Sequence, residues 1–126
     1  MSPLVHVALG GAVGSCARYL VQQWARTAWG TAFPWGTFGI NFAGSFAIGA
    51  LMMLRGRAGW FSDDAFLLLV VGLLGGFTTY SGFNNEVLSL FQSGESARAA
   101  GYLALTVVGC LAAGIAGMLL GRAIAG

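Results

Sequence analysis

Charged residues are scarce in this chain. Its 126 residues include no lysine, six arginines and four acidic residues, so charged side chains make up only 8% of the sequence. A typical soluble domain has about 25%. Hydrophobic residues make up 57%, and so few charges cannot cover a globule of that composition with a polar surface. The composition therefore argues against a water-soluble protein, and the absence of any basic run argues against a nucleic-acid partner.

Catalytic and metal-binding clusters are also missing from the sequence. Cys16 and Cys110 each lie in an apolar stretch, and neither has a second cysteine or a histidine at metal-ligand spacing. The one histidine, His6, is isolated. Because no nucleophile stands beside a base, we do not expect an enzyme.

The sequence does contain four long stretches without charge. They are 17, 28, 21 and 23 residues long and cover residues 1–17, 27–54, 65–85 and 99–121. A helix needs about 20 apolar residues to cross the hydrocarbon core of a bilayer. We therefore predict an all-α membrane protein with a single domain over residues 1–126. Its four transmembrane helices are predicted at about residues 3–25, 35–54, 64–91 and 97–122, with Asp63 and Asp64 capping the third.

Tryptophans and small residues suggest how these helices sit in lipid and pack. Tryptophans near predicted helix ends, as expected for headgroup anchors, are Trp24, Trp29, Trp35 and Trp60. Small residues spaced four apart are Gly10 and Gly14, Gly72 and Gly76, and Gly109, Ala113, Gly117 and Gly121. Such stripes let helices approach closely in a membrane, so we expect most of them to serve assembly of the bundle.

The arginines give almost no preference for one orientation in the membrane. With both termini on one side, that side receives Arg55, Arg57 and Arg122, and the other receives Arg26 and Arg98, with Arg18 nearer to it. The positive-inside rule then has little to act on. We predict that the chain inserts both ways and pairs as an antiparallel, dual-topology homodimer, with any pore lying between the subunits.

The third predicted helix has its least helical residues near its middle. Gly75 and Gly76 lower helix propensity by about 1 kcal/mol each relative to alanine, and the β-branched Thr78 and Thr79 do not restore it. We predict a break within residues 75–79, whose freed carbonyls face protein, water or a cation. The alternative is a glycine-rich packing notch in an unbroken helix.

Polar side chains cluster just after this break and on the second helix. Residues 80–86 form an aromatic and polar run inside the third span, and Asn41 adds an amide to the second. Such groups either line a water-filled path or bridge helices by hydrogen bonds. Arg18 must reach the membrane surface or an acceptor, and Glu86 is either its partner or a residue near a pore mouth.

Three groups of these residues occur together in one known family. They are Gly10–Gly14 with Arg18 and Tyr19, then Gly36 and Thr37 with Asn41 and Gly44, and finally residues 72–86. The most specific element is Gly-Gly-Phe-Thr-Thr, an aromatic, Ser, one variable residue and Phe, with Glu86 three positions later. The combination resembles the Fluc (CrcB) fluoride channel family. The resemblance implies a passive fluoride channel of the bacterial inner membrane, built as an antiparallel dimer with two pathways and a buried central sodium ion.

The resemblance also implies a set of site residues. It places the sodium ion on the carbonyls of Gly75 and Thr78 from both subunits. It places Asn41, Ser81 and Phe83 along the pores, and Tyr102 and Thr106 at the start of a polar track on the fourth helix. Amide and hydroxyl donors and the positive edges of aromatic rings suit a small, strongly hydrated anion.

Two positions depart from the family pattern. Tyr80, which we also place in the pore, stands where the family usually has Phe, and Gly82 stands where it usually has Thr. The phenol at position 80 would donate to the ion, retain it, or fill the passage. Gly82 removes a hydroxyl just after the break.

Two other function classes remain open at this point. A small multidrug transporter also has four short spans and pairs antiparallel, but it needs a carboxylate within a span for proton exchange. The first helix carries Arg18 instead. A structural membrane subunit would explain the glycine stripes, although it would not explain the polar residues around the break.

Overall fold

The computed structural model describes residues 2–57, 59 and 61–126. Within these residues all regular structure is helical, and four helices are long and apolar enough to cross a membrane. They are Pro3–Trp29, Trp35–Arg55, Asp63–Gln92 and Ser96–Ala125, called the first to fourth helix below. The prediction of an all-α membrane protein with four spans is confirmed.

The helix ends extend slightly beyond the predicted ones. The first helix continues past Ala25 to Trp29 and stops at Gly30, whose φ of 73° a residue with a side chain rarely adopts. The expected aspartate cap of the third helix is wrong, because the Ser62 hydroxyl accepts the Ala65 N–H at 3.1 Å. Asp63 instead pairs with the Arg55 guanidinium at 3.0 Å.

The tryptophans near the ends of the first two helices are exposed. Trp24, Trp29 and Trp35 keep 59%, 56% and 43% of their surface, which agrees with their expected place at the headgroups. Trp60 lies outside the described residues.

The third helix is broken within the predicted segment, although not at the glycines. Gly75–Phe77 is helical, and the backbone opens at Thr78 (φ −79°, ψ 156°) and Thr79 (φ −150°, ψ 117°). The helix resumes over Tyr80–Gln92. We call Thr78 and Thr79 the break, residues 63–77 the first half of the helix, and Tyr80–Gln92 its second half.

The first half is also irregular before the break. Leu67–Leu74 is π-helical, a conformation that is rare and usually short. This stretch packs along the first helix, while the second helix pairs with the fourth. The bundle is thus two helix pairs, and the break lies where they meet.

Glycines allow both pairs to approach closely. A Cβ on Gly72 would lie 2.8 Å from the Val7 carbonyl oxygen, and one on Gly76 would lie 2.6 Å from the Gly11 carbonyl oxygen. In the other pair, a Cβ on Gly117 or Gly121 would collide with carbonyls of the second helix. The packing interpretation of Gly76 is therefore correct, even though the helix around it is not continuous.

A matched pair of glycine substitutions tests this packing. A methyl group at Gly14 would clash with the Leu73 carbonyl and lie 2.9 Å from the Phe77 nitrogen. One at Gly11 would meet only the Gly72 oxygen, at 3.9 Å. We expect Gly14→Ala to lower the free energy of unfolding by about 1–3 kcal/mol and Gly11→Ala to leave it nearly unchanged, as measured by thermal unfolding in detergent. Equal melting temperatures for the two variants would contradict the close crossing.

Candidate functional site

One side chain of the second helix pairs with the backbone of the break. Asn41 Nδ2 donates to the Thr79 carbonyl oxygen at 3.0 Å, and the Thr79 N–H donates to Asn41 Oδ1 at 2.9 Å. The amide thereby replaces both backbone partners that Thr79 loses by leaving the helix. The Thr79 hydroxyl then caps the second half, accepting the Gly82 N–H at 3.0 Å.

Three other backbone groups around the break have no hydrogen-bond partner among the described residues. The Thr78 N–H and hydroxyl both donate to the Leu74 carbonyl oxygen, at 3.0 and 2.8 Å. In the part of the chain that the structure describes, no donor reaches the carbonyls of Gly75 and Thr78, and the Tyr80 N–H reaches no acceptor. Unpaired groups at membrane depth cost several kcal/mol each, so they need water, an ion or another subunit.

An open groove of about 430 Å³ runs past the break. It brings together six of the predicted site residues, namely Asn41, Gly75, Thr78, Tyr80, Phe83 and Thr106. Ser45 and Cys110 continue it along the second and fourth helices. Among the described residues, no charged side chain lines this groove.

Thr106 is the one polar side chain in the described residues that is buried without a hydrogen-bond partner. Its residue is 7% exposed, and it lines the groove on the fourth helix. Buried hydroxyls are almost always hydrogen-bonded in native proteins. A hydroxyl without a partner among the described residues therefore lies beside the groove.

Two predicted site residues lie beside the groove and do not line it. Ser81 is exposed, and its hydroxyl oxygen lies 3.4 Å from the Thr79 hydroxyl oxygen. Tyr102 is fully buried behind Phe83, with ring centroids 5.2 Å apart at 70°. This edge-to-face arrangement fixes the Phe83 ring that faces the groove.

A second cavity of about 380 Å³ lies toward one end of the bundle. Its lining includes Arg26 and Glu86. The Tyr102 hydroxyl donates to Glu86 Oε1 at 3.5 Å, so Glu86 belongs near a mouth of the bundle and is not the partner of Arg18. Nearby, Gln22 Nε2 donates to the buried Thr37 hydroxyl at 2.8 Å.

Arg18 and His6 also have defined positions. Arg18 Nε donates to the Gly76 carbonyl oxygen at 3.0 Å, so the arginine finds an acceptor within the bundle. His6 lies at the opposite end from Glu86, with its Nε2 3.8 Å from Asp64 Oδ2. His6 is therefore remote from the groove.

Comparison with known proteins identifies the family. A family model described as "CrcB-like protein, Camphor Resistance (CrcB)" matches residues 5–118. The chain belongs to the CrcB family. A relative from Anaeromyxobacter dehalogenans (strain 2CP-1 / ATCC BAA-258), named "Fluoride-specific ion channel FluC", is 48% identical over 126 residues, all of both chains.

Other CrcB relatives carry the same name. The one from Rhizobium johnstonii is 46% identical over 125 residues, 99% of this chain and 100% of that one. The one from Agrobacterium fabrum is 47% identical over 122 residues, 97% and 98% of the two chains. With its four spans, this CrcB protein is a multi-pass protein of the bacterial inner membrane.

Sequence reasoning missed the central part that Thr79 plays in this CrcB chain. Its pairing with Asn41 joins residues 38 positions apart, and no local pattern marks it. A usable signal was present at Gly44, where a Cβ would collide with the Thr78 methyl group. A glycine one turn after Asn41 indicates that another element passes close to that helix face.

Proposed function

We propose that the chain is a fluoride-selective channel that lets fluoride leave the cell passively. The buried, unpartnered hydroxyl of Thr106 in an uncharged groove beside the break carries this proposal. Relatives of 46–48% identity over nearly the whole chain are named as fluoride-specific ion channels, which supports it. Such a channel is not an enzyme.

The chemistry of the groove suits fluoride. Fluoride gives up its hydration shell only where donors replace water, and a fixed cation would bind it too tightly for rapid release. The Thr106 hydroxyl, the Tyr80 N–H and the ring edge of Phe83 are neutral donors or positive edges of this kind. Ser81 lies close enough to the break to add a hydroxyl, and Asn41 keeps one Nδ2 hydrogen beyond the one given to Thr79.

Tyr80 is positioned to modulate the rate. Its side chain is 78% exposed and stands edge-on to Phe83, with ring centroids 5.8 Å apart at 69°. A phenol there adds a donor where the family usually has Phe. Gly82, the second departure, gives its N–H to the Thr79 cap and contributes no side chain.

A sodium ion at the break forms part of the proposal. The Gly75 and Thr78 carbonyls are hard oxygen ligands, and both accept no hydrogen bond within the described residues, so they fit a hard cation. Two carbonyls cannot complete the coordination of such an ion. The same two groups of a second subunit would complete it, which favours a homodimer joined at the breaks. A bound cation would neutralise carbonyl charge and fix the two halves of the helix.

The relation between the subunits is proposed to be antiparallel. The helix ends place Arg55, Arg57 and Arg122 at one end of the bundle, against Arg26 and Arg98 at the other. So small a difference permits insertion in both directions, and two opposite copies bring their breaks together at mid-membrane.

Arginines added at one end of the bundle should abolish the near-equal distribution of positive charge between its two ends. We expect two extra arginines after Gly126 to fix most copies in one orientation, because the difference in positive charge then becomes decisive. Orientation is read by a cytoplasmic reporter fused to the C-terminus, and function by fluoride resistance of cells. The channel should lose activity when expressed alone and regain it with an oppositely biased copy carrying two arginines in the loop over residues 30–34. Full activity of the biased copy alone would contradict the antiparallel dimer.

Efflux from liposomes tests the function itself. Purified protein is reconstituted into liposomes loaded with potassium fluoride or potassium chloride, and valinomycin starts the release. Ion-selective electrodes should record rapid fluoride loss and retention of chloride. Equal release of both anions, or no release, would reject the proposal, and proton-driven uptake of an organic cation would favour the multidrug transporter.

A further inference from the structure

The Gly76 carbonyl loses its helical partner because of the break. In a continuous α-helix, the N–H of residue 80 would donate to the carbonyl of residue 76. Thr78 and Thr79 leave the helical conformation, so the Tyr80 N–H no longer reaches Gly76. Arg18 Nε donates to this carbonyl at 3.0 Å and takes the place of the missing donor.

The position of Arg18 follows from the close crossing of the first and third helices. Gly14 and Arg18 are one turn apart on the same helix face, and Gly14 lies against the backbone at Leu73 and Phe77. This approach brings the half-buried guanidinium to the carbonyl end of the first half of the third helix. Positive charge is favourable there, because the helix dipole ends negative. No acidic side chain among the described residues forms an ion pair with Arg18.

We infer that Arg18 is a positioning residue that keeps the break open. Without its side chain, the Gly76 carbonyl and the Tyr80 N–H would both lack partners at membrane depth. The simplest repair is for the helix to close across the break, so that these two groups pair with each other. Closure would pull Thr79 away from Asn41 and remove the groove. The resulting loss of fluoride transport rests on the proposed function, whereas the role of Arg18 in keeping the break open does not.

Hydrogen exchange at the Tyr80 amide distinguishes this role from a general structural one. A merely destabilised helix would exchange faster at Tyr80, whereas a closed break protects that amide and makes it exchange more slowly. Hydrogen bonds from a charged donor are strong enough to shift such an equilibrium by about tenfold or more. Because destabilisation speeds exchange at Tyr80 and closure of the break slows it, the direction of the change decides between the two roles.

The experiment uses full-length protein in lipid nanodiscs, with residue-resolved exchange. In Arg18→Met we expect exchange at Tyr80 to slow by about tenfold or more. Arg18→Lys, which keeps a charged donor, should stay within about threefold of the parent. Tyr19→Phe, an exposed neighbour, is the control and should not change. Should Arg18→Met not fold, Arg18→Leu tests the same loss of the donor.

The result that overturns the inference is unchanged or faster exchange at Tyr80 in the folded donor-free variant, or equal slowing in Arg18→Lys. Fluoride efflux is measured in parallel and should fall about tenfold or more in Arg18→Met and be largely kept in Arg18→Lys. If the parent protein conducts no fluoride, the proposed function fails, and the exchange measurement alone still decides the role of Arg18.

Discussion

Asn41→Ala is expected to reduce fluoride efflux by more than about 100-fold. The substitution leaves both the N–H and the carbonyl of Thr79 without partners, and each buried unpaired group costs about 1–3 kcal/mol. Two such groups together cost about 2–6 kcal/mol, and the middle of that range exceeds the roughly 2.7 kcal/mol that corresponds to a hundredfold change in an equilibrium. The open conformation of the break should therefore become a minor state, and the groove beside it should close.

Efflux from liposomes at matched protein-to-lipid ratios measures this effect. Gln23→Ala is the control, because it removes an exposed amide of similar size from the first helix and should leave the rate unchanged. Asn41→Asp sharpens the test. It keeps an acceptor for the Thr79 N–H but sets a carboxylate against the Thr79 carbonyl, so it should also be inactive. A conducting Asn41→Ala variant would show that the break does not depend on the two hydrogen bonds between Asn41 and Thr79.

The four spans could be predicted because lipid imposes a simple constraint on sequence. Uncharged stretches of membrane length are rare in soluble chains, so their positions were correct and only the ends differed. Ends depend on single caps, such as Ser62 in place of the expected aspartates. The π-helical stretch Leu67–Leu74 was not predicted, because it arises from packing against another helix and has no composition of its own.

The break was predicted in the correct segment for a reason that proved incomplete. Gly75 and Gly76 were credited with it through their low helix propensity, yet both lie in helical conformation. Gly76 serves the contact with the first helix. Thr79 can leave the helix because Asn41 pairs with its backbone groups and its hydroxyl caps the second half. Propensity locates a weak point, whereas long-range hydrogen bonds decide which residue opens.

The site was predicted in composition more than in geometry. The family resemblance named the residues that meet in the groove, and polarity at membrane depth pointed to the same run. Neither signal could reveal that Tyr102 is buried behind Phe83 or that Glu86 pairs with Tyr102, because these contacts depend on how the fourth helix is rotated.

Removing the Thr106 hydroxyl is expected to have opposite effects on stability and on transport. Thr106→Val keeps the shape and removes a buried hydroxyl that has no partner within the described residues. Such a group costs about 1–3 kcal/mol when unpaired, so the variant should be more stable in the absence of fluoride. If the hydroxyl donates to passing fluoride, its loss should slow efflux by about tenfold or more, because a hydrogen bond to a charged group is worth at least about 1.4 kcal/mol.

Thr106→Ser is the matched variant, because it keeps the hydroxyl and loses only a methyl group. It should unfold at a lower temperature, by the loss of about 0.8 kcal/mol of apolar burial, and still conduct within a few-fold of the parent. Thermal unfolding in fluoride-free detergent should rank Thr106→Val above Thr106→Ser in stability. Efflux measured with a fluoride electrode should rank the two variants in the opposite order. A Thr106→Val channel that conducts at the parent rate would remove this hydroxyl from the pathway. A less stable Thr106→Val protein would instead show that the hydroxyl is bonded within the assembled protein, since only a satisfied group stabilises the fold when present.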